Sequence, residues 1–253
     1  MEENAKIQYL YGIHPVLEAL KSGKRIDRIL LKQGLESPLF KELMDLIQQN
    51  GIAYQFVPAE KLNHTVKGAH QGVIACIPSI DYVTLEELVD KSLAVSRNPL
   101  LIMLDGVSDV RNLGAIARTL ECAGGSGIIV PAKGGAAINA DAIKSSAGAL
   151  MRIDICKVPN LKYAAYYLRQ SGFCLIAATE KTDVRIYDTD MTGPVAIVMG
   201  SEGKGISQSM LNLADVKASI PMKGNISSLN VSAAASVVLF EAVRQRLSSK
   251  GNK

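Results

Sequence analysis

Between residues 100 and 222 the chain carries six short, almost unbroken apolar segments: LLIMLDGV, GIIVPA, IDICKV, FCLIAAT, PVAIVMG and VKASIPM. Stretches with helical periodicity separate them. A strand with one face in water alternates apolar and polar residues, whereas a strand apolar at every position has both faces covered. Such strands alternating with helices specify an α/β fold in which a parallel sheet lies between two helical layers. Ligands in sheets of this kind bind beyond the carboxyl ends of the strands, so the residues after each strand carry the functional signal.

A smaller α/β pattern precedes this one. YGIHPVLEALKSG reads as a helix, IDRILLK as a strand, PLFKELMDLIQQNG as a helix stopped at Gly51, and IAYQFV and GVIACIP as strands. The expected layout is a first domain over residues 1–80, an acidic helical linker over 81–98 that ends before Pro99, and a second domain over 99–253.

Composition narrows the class. With 253 residues, 48% hydrophobic and 21% charged, the chain can bury a sizeable core. No apolar run reaches the ~18 residues of a membrane span. The start, MEENAKIQYLYG, has acidic residues where a secretory signal has basic ones, so a cytoplasmic location is expected. Cys76, Cys122, Cys156 and Cys174 lie far apart without a C-x-x-C pair and are expected as buried free thiols. His14, His64 and His70 have no partners at metal-ligand spacing, so no metal site is expected. The net charge is +4, and the excess is in the second half, where residues 99–253 hold 17 basic and 12 acidic side chains. The end of the chain, Arg244 to Lys253, has four positive charges and no negative one. That suits a phosphate-rich partner and equally a solvated helix end.

Three strand ends stand out: LLIMLDGVSDVRNLGAIARTLECAG, PVAIVMGSEGKGIS and IPMKGNISSLNVSAAASVVLFEAV. Each passes from an apolar strand through a Gly/Ser/Asn-rich loop into a helix. None is a nucleotide fingerprint. A P-loop requires Lys after Gly205, where Ile206 stands, and no G-x-G-x-x-G follows a strand. No G-x-S-x-G elbow is present either, which removes the common hydrolase reading. The third loop places Asn225, Ser227, Ser228 and Asn230 before an Ala-rich helix. By local rules Asn230 or Ser228 is a helix cap, Arg118 a solvated helix arginine and Glu202 an exposed loop acid. A helix N-terminus with neutral donors and acceptors is also a site for a polar ligand.

Taken together and in order, Asn112-Leu113-Gly114-Ala115-Ile116-Ala117-Arg118, Met199 to Gly203, and Ile220 to Ala233 resemble the three motifs of the SpoU (TrmH-like) ribose 2′-O-methyltransferases of the SPOUT superfamily. The resemblance covers about residues 99–248. The front of the chain, with YGIHPVLEAL and HQGVIA, is similar to the small ribosomal-protein-like RNA-binding domain of the same family.

The resemblance implies a parallel sheet with a deep trefoil knot, a homodimer, S-adenosylmethionine as cofactor and RNA as partner, with neither DNA nor a membrane involved. The two-domain layout is similar to that of members acting on a guanosine of 23S ribosomal RNA; transfer RNA, another ribosomal nucleotide, and a non-catalytic role in ribosome assembly are the alternatives. It implies a cofactor held by backbone groups at Gly200, Ile220 and Leu229, with Asn112, Arg118, Glu202, Ser228 and Asn230 as the catalytic set. Arg118 is then the residue at the target hydroxyl. A free guanidinium loses its proton only above about pH 12, which favours stabilisation of the developing alkoxide by Arg118 over action as a base. Ala233, Ala234 and Ala235 let the last helix pack closely, and the run Val237 to Phe240 offers apolar surface to a partner subunit.

Overall fold

The computed structural model describes residues 8–23, 26, 28–77, 81–225 and 228–250. Two compact units form, one from the first 81 residues with residues 138–152, the other from residues 82–137 and 153–253.

In the first unit the order is β1 (Gln8–Tyr11), α1 (Ile13–Lys21), β2 (Arg28–Lys32), α2 (Pro38–Gln49), β3 (Ala53–Val57), α3 (Ala59–Thr65) and β4 (Val73–Ile77). The sheet order is β1-β4-β2-β3, with β2 and β3 parallel and the other pairs antiparallel. α1 and α2 pack together over one face, burying Val16, Leu17 and Leu20 from α1 and Leu43 and Ile47 from α2. Leu62 of α3 joins Leu30, Val57 and Ile74 on the other face. Ser37 starts α2 by accepting the Phe40 amide, with Pro38 at the first helical position, where its missing N–H costs nothing. Tyr11, expected within the first helix, ends β1 instead. Gly12 at φ 98° makes the turn between them, a conformation that suits glycine.

A later stretch of the chain completes this unit. Residues 138–152 contain α6 (Ala140–Ser145) and a 3-10 turn (Ala149–Met151), and bury Ile138, Ala142, Ile143 and Leu150. The Tyr11 hydroxyl donates to Asp141, Lys144 lies over the Tyr11 ring at 4.9 Å, and Arg152 pairs with Glu18. The hydrogen bond to Asp141, with burial added, pushes the Tyr11 phenol up to about 12.

The second unit holds α4 (Leu85–Val95), β5 (Leu100–Asp105), α5 (Val110–Cys122), β6 (Gly127–Pro131), β7 (Asp154–Val158), α7 (Leu161–Gln170), β8 (Cys174–Ala178), β9 (Val195–Gly200), α8 (Gln208–Leu211), β10 (Val216–Ala218) and α9 (Val231–Lys250). All six apolar segments are strands of one fully parallel sheet, ordered β10-β8-β9-β5-β6-β7. In the central pair, β5 is buried from Leu100 to Leu104 and β9 along its whole length, as their apolar sequences imply. β10 is shorter than its segment, because Ser219 turns away to bond with Val184 and Ile186.

Of the stretch 81–98, expected as a linker, residues 82–98 fall within this unit. Thr84 and Glu87 form a reciprocal cap at the start of α4, and Leu85, Leu88 and Val89 enter the core that lines one face of the sheet. Burying a leucine such as Leu88 is worth about 1.5–3 kcal/mol, enough to hold an amphipathic helix against the sheet despite its charges. The cysteines are all free. Cys76 and Cys156 are buried, and burial pushes the Cys156 thiol up to about 11. Cys122 is exposed, contrary to expectation, because it ends α5 beyond the last buried turn at Leu120.

Two features aim α9 at the strand ends. Its middle packs on α5, where Thr119 and Ser236 share a hydrogen bond of 3.1 Å. Its far end is tied to the turn before β9: Gln245 donates to the Thr189 carbonyl and accepts from the Met191 amide, and Arg246 donates to the carbonyls of Met191 and Gly193.

Candidate active site

In the register of β5 and β9, Asp105 stands beside Gly200, so the loops leaving these two strands start side by side. Asp105 accepts the Ser207 amide at 2.7 Å and fastens the far end of the second loop to the first. Between them, Ser201 and Gly205 exchange backbone hydrogen bonds of 3.1 and 2.9 Å, which folds residues 201–205 into a tight reversal. A Cβ at Gly200 would lie 2.1 Å from the Gly205 carbonyl carbon. The glycine is therefore required by the loop's own return, and the loop in turn presents Glu202 at its tip.

The first loop ends at Asp109, whose carboxylate accepts the amides of Arg111 at 2.7 Å and Asn112 at 3.1 Å and so caps α5. Asn112 then donates its side-chain amide to Glu202 at 3.0 Å. Asn230, at the start of α9, donates to the Asn112 oxygen at 3.0 Å and also to Glu202. Its own oxygen accepts from the Ser232 and Ala233 amides at 2.9 and 3.3 Å. Asn230 thus caps its helix and also bonds to both Asn112 and Glu202. The result is a three-residue cluster, one member from each loop. Glu202 makes no ion pair among the described residues, so two neutral amides orient a full negative charge.

Beside this cluster is a cavity of about 470 Å³. Its walls are the loops after β8, β9 and β10 together with the start of α9. Gly200, Glu202, Ile220, Ser228 and Leu229, all named from the sequence, line it. Asn112 and Asn230 bond to Glu202 but are not part of the lining. Ser227 lies outside the described residues. Arg118 is exposed, does not line the cavity, and makes no hydrogen bond or ion pair among the described residues. At 3.6 residues per turn its side chain is about 120° around α5 from Asn112.

Thr179, Glu180 and Lys181 also line the cavity, although sequence reasoning passed over them. They follow β8, which pairs with β9, and only that pairing marks its end as part of the site. The volume is within the range of small-molecule sites, roughly 300–1,000 Å³. The lining combines apolar Met199, Ala218 and Ile220 with polar Thr179, Glu202 and Ser228, which suits a ligand with a flat apolar part and a polar, charged tail. Among the described residues no group of His, Cys, Asp and Glu could hold a metal ion.

Comparison with known proteins connects this geometry to a family. Residues 99–240 match the model of the SpoU rRNA methylase family, more than half of the chain. The chain belongs to the SpoU rRNA methylase family. A second model, for RNA 2′-O ribose methyltransferase substrate binding, matches residues 9–83 of this SpoU protein. It is 39% identical over 246 residues to the 23S rRNA (guanosine-2′-O-)-methyltransferase RlmB of Haemophilus influenzae, covering 96% of this chain and 99% of the relative. The corresponding RlmB of Pseudomonas syringae is 37% identical, with 96% and 97% covered. Among solved structures, the SpoU methyltransferase AviRb from Streptomyces viridochromogenes in complex with AdoMet superposes with a TM-score of 0.79 at 26% identity, covering 95% and 90%. This SpoU chain has the α/β fold expected of the family and is an RNA ribose 2′-O-methyltransferase.

Proposed function

We propose that this enzyme uses S-adenosylmethionine to methylate the ribose 2′-hydroxyl of a guanosine in 23S ribosomal RNA. The observation that carries the reading is the Asn112–Glu202–Asn230 cluster at the edge of a cavity of nucleoside size. Near full-length similarity to two RlmB enzymes supports the choice of RNA.

S-adenosylmethionine supplies a methyl group on a positively charged sulfur. Backbone groups at Gly200, Ile220 and Leu229 would hold it in the cavity, where Ser228 would meet the target nucleotide. Glu202, oriented by the two asparagines, positions the polar end of the site. Arg118, without a protein partner among the described residues, would meet an RNA phosphate and the negative charge that develops on the 2′-oxygen. Holding both reactants in line accounts for much of the rate in a transfer of this kind.

In the same reading the N-terminal domain over residues 1–80 binds the RNA and residues 99–253 do the chemistry, in a cytoplasmic enzyme. No helix among the described residues is long and apolar enough to cross a membrane. The deep knot is also part of the reading. Support comes from the path of the chain, which leaves β10 at the sheet edge and enters α9, packed on α5 and central β9. The enzyme is a homodimer joined through α9. Val238 and Leu239 are buried in their own unit, whereas Phe240 is 47% and Leu247 67% exposed, an apolar stripe that a second copy would cover. Light scattering at micromolar concentration tests this; a monomer would rule it out.

Mapping 2′-O-methyl groups in RNA from cells with and without the gene tests the substrate. One guanosine of 23S ribosomal RNA is expected to lose its methyl group. Unchanged ribosomal RNA with a loss in transfer RNA would overturn the assignment.

A further inference from the structure

Strand β3 is an edge of the four-stranded sheet, and four of its five residues are exposed. Two of them are large aromatics on the same face: Tyr54 is 42% and Phe56 43% exposed, with their rings edge to face at 5.8 Å. Their partners across the parallel pair, Ile29 and Leu31, are fully buried. The aromatic pair therefore extends the apolar face of the sheet past its helical cover into solvent.

An exposed apolar edge strand invites edge-to-edge association, and chains commonly blunt such edges with charges or proline. Here the edge carries two rings. On the strand beside it, Arg28 and Lys32, the register partners of Ala53 and Val57, are exposed and make no ion pair among the described residues. Exposed rings beside a free cation are what unpaired bases require: the ring stacks on the base and the cation meets the phosphate.

We propose that Tyr54 and Phe56 form a stacking platform for unpaired bases of the substrate RNA. The proposal rests on the reading of residues 1–80 as the RNA-binding part, which the substrate-binding family model over residues 9–83 supports. A duplex keeps its bases stacked inside, so the platform selects a loop, bulge or single-stranded flank.

The test uses the full chain and a labelled 12-nucleotide oligo(A) as probe. Tyr54→Ala/Phe56→Ala should weaken binding about tenfold or more, the loss expected for one to two stacked bases, while Tyr54→Phe, which keeps the ring, should bind as the parent does. On a 23S ribosomal RNA transcript the double variant should raise KM and leave kcat at saturating RNA unchanged. Parent-like affinity of the double variant for the probe would overturn the platform, as would unchanged affinity together with loss of self-association, which would mark the edge as a contact between copies. Probe binding is read without turnover. A parent protein that binds the probe through these rings but leaves 23S RNA unmethylated would refute the proposed reaction and leave the platform standing.

Discussion

The side-chain amide of Asn230 donates to the oxygen of Asn112, 3.0 Å away and 118 residues earlier in the chain, while the Asn230 oxygen caps α9. One side chain therefore sets both a helix start and the junction of two motif loops. Asn230→Ala should lose the cap, at about 1 kcal/mol, and the junction. Asn230→Asp keeps an acceptor for the cap but sets a second carboxylate beside Glu202. Its thermal midpoint should stay nearer the parent's than that of Asn230→Ala, while single-turnover methylation falls about 100-fold in both, the scale expected of a misplaced reacting group. Equal activity in Asn230→Asp and the parent would show that the amide has no role in the reaction.

Gly200→Ala tests the loop that presents Glu202. The added methyl would sit 2.1 Å from Gly205 and 2.2 Å from the Ile206 amide, so the reversal must open. Cofactor affinity, measured by calorimetric titration with S-adenosylmethionine, should drop by about tenfold or more, since misfit at a packed site costs about 1–3 kcal/mol. Gly193→Ala, outside the cavity lining, meets nothing within 4 Å and should bind as the parent does.

Arg118→Ala should separate chemistry from binding. The side chain is exposed and unpartnered among the described residues, so stability should change by no more than about 0.5 kcal/mol and cofactor binding should persist. Methyl transfer, followed with tritiated cofactor, should fall about 100-fold or more, as when a group that stabilises developing charge is removed. Near-normal turnover would remove Arg118 from the reaction.

The anchor of α9 predicts a pH dependence. Glu241 is 5% exposed and accepts two hydrogen bonds of 2.8 Å from Arg244 and one from Gln245. The bonds from Arg244, the largest effect, hold its carboxyl below the ordinary 4.5 against the opposing effect of burial. Because the folded value is the lower one, this contribution is complete above about pH 4.5 and fades as the pH falls through the folded value. Glu241→Gln should unfold more easily than the parent at pH 7, and the difference should shrink in acid. Thermal melts of both proteins from pH 7 to 3 check this; a constant gap would show that the carboxylate's charge is irrelevant.

Periodicity and strand-end composition by themselves determined the six strands of the catalytic sheet, because a strand covered on both faces must be apolar throughout. They also marked the three loops that carry Asn112, Glu202 and Asn230, since loops at strand ends must supply their own turn and cap chemistry. Tertiary structure alone decided which of these residues meet. β9 inserts between β5 and β8 although it follows both in sequence, and that order brings Asp105 beside Gly200 and Thr179 into the cavity wall. It also left Arg118 outside the wall, drew Leu88 from an acidic stretch into the core, and placed residues 138–152 in the first unit. Local pattern reports how much of a segment is buried. The surface that buries it is a non-local contact, set by strand order and packing.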